Sequence, residues 1–150
     1  TVKNIQKQST RGFTLIELVV TLSLIAILSV GMLVYLNPAL QLKKTRDTSR
    51  KADLAKIQAA LELYRADQGY YPASLSCPSP LIAGSTTYIK SLPCDPKNTS
   101  PFVYTYSPSG SPASSYSIVA CLENTSDLQI DNPNNSLCTR GTKSYTVTDP

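Results

Sequence analysis

Phe13 to Leu36 is an apolar run of 24 residues, broken only by one acid, Glu17, and a few hydroxyl residues. As a helix rising about 1.5 Å per residue it reaches about 36 Å, enough to cross a hydrocarbon core of about 30 Å with some tilt. Asn37-Pro38 then marks a break or kink, because proline lacks a backbone donor and disfavours helix before it. Beyond it the pattern turns amphipathic. Leu54, Ile57, Leu61 and Tyr64 recur at intervals of three and four, an apolar stripe about 100° wide. Gly69 followed by Pro72 supplies a stop. The pattern predicts one long helix from about residue 13 to 68. Its first half is built for lipid and its second half for packing on a head.

Three short β-leaning runs follow: Phe102–Tyr106, Tyr116–Leu122 and Ser144–Thr148. Residues 73–87, 107–115 and 123–143 read as loops. Without a βαβ pattern the sheet is expected to be antiparallel, with one face on the helix stripe. The fold class is α+β: a long N-terminal helix on a small antiparallel head. The domain reading is a leader over 1–12, a membrane and assembly helix over 13–36, an amphipathic helix over 37–68, and an exported head over 69–150.

Charge refines this. Lys3, Lys7 and Arg11 precede the span with no acid among them, which holds that end in the cytoplasm and places the head outside. They supply three of the 14 basic residues, so without them 11 bases face 10 acids. Such a balance makes no strong case for nucleic acid. A secretory signal is the bland rival, but its apolar region is about 7–15 residues, shorter than this run, and Asn37-Pro38-Ala39-Leu40 is a weak cleavage site. Glu17 is the anomaly. An ionised carboxylate inside a span costs roughly 2.5–3.5 kcal/mol, which predicts a partner charge from another molecule or a new amino terminus.

Arg11-Gly12-Phe13-Thr14-Leu15-Ile16-Glu17-Leu18 resembles the processing site of type IV pilins and of type II secretion pseudopilins. The resemblance implies cleavage after Gly12 by a prepilin peptidase, methylation of the new terminus at Phe13, and an assembly role for Glu17. Paired with the cationic terminus of a staggered neighbour, Glu17 would set register as buried polar groups do in helical bundles. The segments RKADLAKIQAALELYRADQGYYP and Tyr88-Ile89-Lys90-Ser91-Leu92-Pro93-Cys94-Asp95-Pro96 extend the similarity, loosely, to about residue 106. The C-terminal third shows no counterpart of the acid- and glycine-rich calcium loop of major pseudopilins.

Cys77, Cys94, Cys121 and Cys138 all follow the apolar segment, and an even count in an exported region reads as disulfides. Three connectivities are open; Cys77–Cys94 with Cys121–Cys138 is the economical one. No CxxC pair and no His are present, so no catalytic residue, metal site or cofactor is expected. Asp127, Asp131, Asn132, Asn134 and Asn135 lack calcium-loop spacing and read as a solvated loop. The bases from Lys43 to Lys56 interleave with Asp47 and Asp53 and read as a solvated helix face. Phe13, Tyr35, Tyr64, Tyr70 and Tyr71 read as core or interface residues.

The function expected is a non-enzymatic pilin-like filament subunit. It begins as a single-pass precursor in the inner (cytoplasmic) membrane and ends in an extracellular or periplasmic filament. Its partners are copies of itself, the prepilin peptidase, the membrane assembly machinery and, before assembly, the lipid bilayer. The alternatives are a pseudopilin acting as a protein-secretion piston, a minor pilin whose head adheres to surfaces or DNA, and an anchored disulfide domain that never assembles.

Overall fold

The computed structural model describes residues 12–139 and 141–150. These form two compact units, the first ending at Pro38 and the second running from Ala39 to Pro150.

The first unit is helix α1, Leu15–Leu36. Thr14 caps it, its hydroxyl accepting from the Glu17 amide at 3.3 Å and so satisfying one of the orphan donors at the helix start. The hydroxyls of Thr21, Ser23 and Ser29 donate to the carbonyls of Leu18, Val20 and Ile25 at 2.7–2.9 Å. Polar side chains inside an apolar helix thus find partners without water.

Helix α2, Pro38–Gln68, follows after a single residue. Asn37 has φ 40° and ψ 74°, the left-handed region that asparagine visits more readily than most residues. Pro38 occupies a first helical position, where its missing N–H costs nothing. The single helix expected over 13–68 is therefore two, divided at the Asn37-Pro38 break. α2 ends at Gly69, φ 82°, whose amide donates to the Arg65 carbonyl at 2.8 Å. Only glycine enters that conformation without Cβ strain.

The second unit packs the α2 stripe onto strands. A hairpin is formed by β1, Leu81–Ala83, and β2, Thr86–Ile89, inside and just beyond the stretch expected to be loop. A three-stranded antiparallel sheet follows in the order β3 (Thr105–Gly110), β4 (Ala113–Leu122), β5 (Lys143–Thr148). The expected Phe102–Tyr106 strand begins later and runs on to Gly110. The expected 107–115 loop shrinks to Ser111-Pro112. At Gly110, φ 98°, an added Cβ would sit 3.0 Å from the Pro112 carbonyl oxygen, so the turn requires glycine.

Leu54, Ile57, Leu61 and Tyr64 are buried together with Tyr116, Ile118 and Ala120 of β4. Val119 and Cys121, on the opposite β4 face, pack with Cys138 and Phe102. A strand covered on both faces explains why YSIVACL shows so little polar alternation. Two disulfides fasten the irregular segments: Cys77–Cys94, with Cα atoms 5.3 Å apart, and Cys121–Cys138, at 5.4 Å.

Candidate functional site

The α1 window Leu15–Met32 has mean hydropathy 2.4 and, among the described residues, none of it is buried. Phe13 is 75% exposed and Tyr35 90% exposed. Burial is worth roughly 25 cal/mol per Å² of apolar surface, so a helix of this composition demands lipid or other helices around it. Glu17 is the lone acid in the first turn. Its Oε2 accepts from the Thr14 hydroxyl at 3.5 Å, while its amide donates to the same hydroxyl. Thr14 as a partner of Glu17 is absent from the sequence expectations; T-x-x-E before an apolar run, the capping-box spacing, is the signal that carries it. Glu17 is thus also a candidate for a local role at the helix start. The expected leader, with Lys3, Lys7 and Arg11, lies outside the described residues.

The α2 basic cluster forms the expected solvated face only in part: Lys43, Lys44 and Lys56 are exposed, whereas Arg46, Arg50 and Lys51 turn inward to carboxylates. Arg50 has no exposed side-chain surface and sits among three carboxylates: Asp95 at 2.6 Å, Asp47 at 2.7 Å and Glu123 at 3.0 Å. Arg46 grips both oxygens of Glu123 at 2.7 Å, and Lys97 reaches the same carboxylate at 2.7 Å. The second Asp47 oxygen accepts from the Asn124 amide at 2.7 Å and the first from the Glu123 amide at 2.9 Å. Phe102 lies under the Arg50 guanidinium, 4.7 Å from its ring centre. Three cations thus meet three anions in one network joining α2, the segment after β2 and the end of β4. Burial works against the Arg50 charge, but hydrogen bonds to Asp95 and Asp47 outweigh it and raise its pKa. The Arg46 hydrogen bond is the main cause holding Glu123 far below the usual carboxylate range, against the opposing effect of burial. Interleaved acids on a basic helix are the sequence signal of this network; which partners meet is decided by the loops that return to α2.

The loop ahead of β5 also departs from the solvated reading. Asp127 accepts from the Lys51 ammonium at 2.6 Å, and that contact is the main cause of its lowered pKa. Asp131 accepts from the Thr146 amide at 3.1 Å and from its hydroxyl at 2.6 Å. The Asn134 oxygen accepts from the Ser144 amide at 2.6 Å, and Asn135 donates its amide to the Ser144 hydroxyl at 2.8 Å. These contacts occupy the free edge of β5, which blunts it against pairing with another chain. Asn132 makes no such contact with β5. Of the tyrosines expected in core or interface, Tyr64 and Tyr71 are buried and Tyr70 is 38% exposed.

Residues 7–33 match the family described as the prokaryotic N-terminal methylation motif. Over 102 residues the chain is 30% identical to type II secretion system core protein G of Pseudomonas aeruginosa, an alignment covering 61% of this chain and 70% of that protein. No solved structure matches the chain.

Proposed function

The chain belongs to the pilin and pseudopilin family, structural subunits rather than enzymes, and from that premise we propose that it is a filament subunit. It is made as a single-pass membrane precursor, cut between Gly12 and Phe13, methylated at Phe13, and assembled through α1. The observation that carries this is the exposed apolar helix Leu15–Met32 lying inside the methylation motif matched over residues 7–33. In the bilayer its apolar side chains face lipid tails, and in a filament they face copies of α1. That exchange has little hydrophobic driving force, so packing and the buried charge pair set specificity. The domain reading follows: leader, assembly helix, amphipathic helix and exported head, the head lying outside the membrane before and after assembly. A prepilin peptidase and an inner-membrane assembly apparatus are the partners this requires.

Within the family, a surface pilus is the reading favoured by the loop ahead of β5. Its acids Asp127 and Asp131 are already engaged by Lys51 and Thr146, and the Cys121–Cys138 bridge ties the loop to β4. Bonds within the protein do there what the resemblance assigns to calcium in major pseudopilins. The second reading, a secretion pseudopilin, is favoured by the name of the Pseudomonas aeruginosa relative. Mass spectrometry of sheared surface filaments from the native cell tests both. The expected outcome is this chain as the bulk component, starting at methylated Phe13. A mature chain retaining Lys7, or one starting near Ala39, rejects the processing assignment. Filaments lacking the chain, with export of other proteins lost on its deletion, select the second reading.

A further inference from the structure

Lys43 and Lys44 differ from the basic residues that follow them on α2. Arg46, Arg50 and Lys51 each bond a carboxylate of the head and Lys56 bonds Asp53 on α2 itself, whereas Lys43 and Lys44 are exposed with no ion pair among the described residues. Pro38 to Lys44 is about 9 Å of helix, so along the chain these two lysines follow shortly after the apolar segment. A bilayer's polar zone is about 5–7 Å deep on each side, within reach of long lysine stems.

Lys44 also lines an open groove of about 460 Å³ together with Thr48, Lys51, Asp127, Leu128 and Gln129. Leu128 in that groove is 100% exposed. It is not the tip of a slack loop. One ammonium, that of Lys51, holds both its neighbours, Asp127 at 2.6 Å and Gln129 at 2.9 Å. A leucine clamped on either side and aimed away from the protein has no folding role. The groove's lining acid, Asp127, is already neutralised by Lys51, so Lys44 leaves the surface cationic.

We propose that this face, Lys44 with the outward-held Leu128, together with exposed Lys43 beside it in sequence, seats the head on anionic phospholipid headgroups around the membrane-inserted precursor. The inference rests on the reading that α1 inserts into a bilayer. The lysines meet lipid phosphates and Leu128 enters the acyl boundary, as in other basic-apolar membrane contacts. Extraction of the subunit into a filament then has to break this contact.

The chain contains no Trp, so Leu128→Trp installs a single reporter. The full chain carrying it is reconstituted in phosphatidylcholine vesicles and in phosphatidylcholine–phosphatidylglycerol vesicles, and flotation and acrylamide quenching are read on the same samples. The expected result is a blue-shifted, quencher-protected indole in the anionic vesicles only. Lys43→Gln and Lys44→Gln should each lower the docked-to-free ratio about 5-fold. Raising salt from 0.1 M to 1 M shortens screening from about 10 Å to about 3 Å and should release it. An indole equally wet in both vesicle types, in chains that float with both, overturns the headgroup contact and leaves insertion standing. Protection in both vesicle types that grows with protein density assigns the face to a second copy of the chain and overturns the proposal. A chain that floats with neither removes the insertion reading and the headgroup contact together.

Discussion

Replacing Arg50 by Ala leaves the Asp47 and Asp95 carboxylates buried around an empty space, since both lie within 2.7 Å of the guanidinium and neither side chain is more than 2% exposed. Removing one side of a buried pair costs about 3–5 kcal/mol. At about 4–8 °C per kcal/mol for a domain of this size, circular dichroism of the full chain in detergent should show Tm lowered by at least about 12 °C. Lys56→Gln is the matched control: its partner Asp53 is 3.3 Å away and Lys56 is 65% exposed, so stability should change by less than about 0.5 kcal/mol. Acid response follows from the same network. Glu123 and Asp127 both have folded pKa values depressed below the ordinary carboxylate range. Their stabilisation is complete above the unfolded carboxylate pKa, about 4.3 for Glu, and is lost as pH falls through the folded values. Urea midpoints should therefore be flat from pH 7 to about 5 and fall below about pH 4. The fall should be shallower in Glu123→Gln, which no longer titrates there. A midpoint that drops between pH 7 and 5 would place the titrating groups elsewhere.

The strands depend on what fastens them. β5 is an edge strand whose outer side is occupied by Asp131, Asn134 and Asn135, and the loop carrying them is tied to β4 by Cys121–Cys138. That bridge spans a sequence separation of 17, for which the chain-entropy model gives about 3 kcal/mol. The Cys121→Ser, Cys138→Ser double variant should lose about 2–5 kcal/mol in urea unfolding and lose amide protection first at Ser144 and Thr146. Uniform loss of protection across the head would instead show that the bridge stabilises the whole unit equally. The apolar stripe Leu54, Ile57, Leu61, Tyr64 was legible because helical periodicity is a local property of the chain. The β1–β2 hairpin was not, since neither run is long enough to show alternation.

At the scale of the molecule, Glu17 has two candidate duties, and a pair of variants separates them. Glu17→Gln retains a side chain able to hydrogen-bond at the start of α1 but carries no charge, while Glu17→Ala removes both features. Neither should impair membrane insertion, which Ala improves by up to about 3 kcal/mol. If the carboxylate meets the cationic terminus of a neighbouring subunit, both variants leave that terminus buried and unpaired at about 3–5 kcal/mol per subunit. The expected outcome is normal abundance in the membrane fraction and loss of sheared filaments for both. Filaments from Glu17→Gln but not from Glu17→Ala would assign Glu17 to the helix start with Thr14, and filaments from both would end the assembly role.

Local properties determined most of what could be read directly from the chain. The unbroken apolar run specifies a lipid-compatible helix, the spacing of Gly12, Phe13 and Glu17 carries the family signal, and period and punctuation place α2 and the stop at Gly69. Each depends only on residues close in sequence. Tertiary structure decided which charges are surface and which are core. Arg50 and Lys43 look alike along the helix, yet Arg50 is buried because Asp95 and Glu123, 45 and 73 residues away, fold back onto it. Such pairing depends on where loops return in space, and no pattern along α2 encodes it.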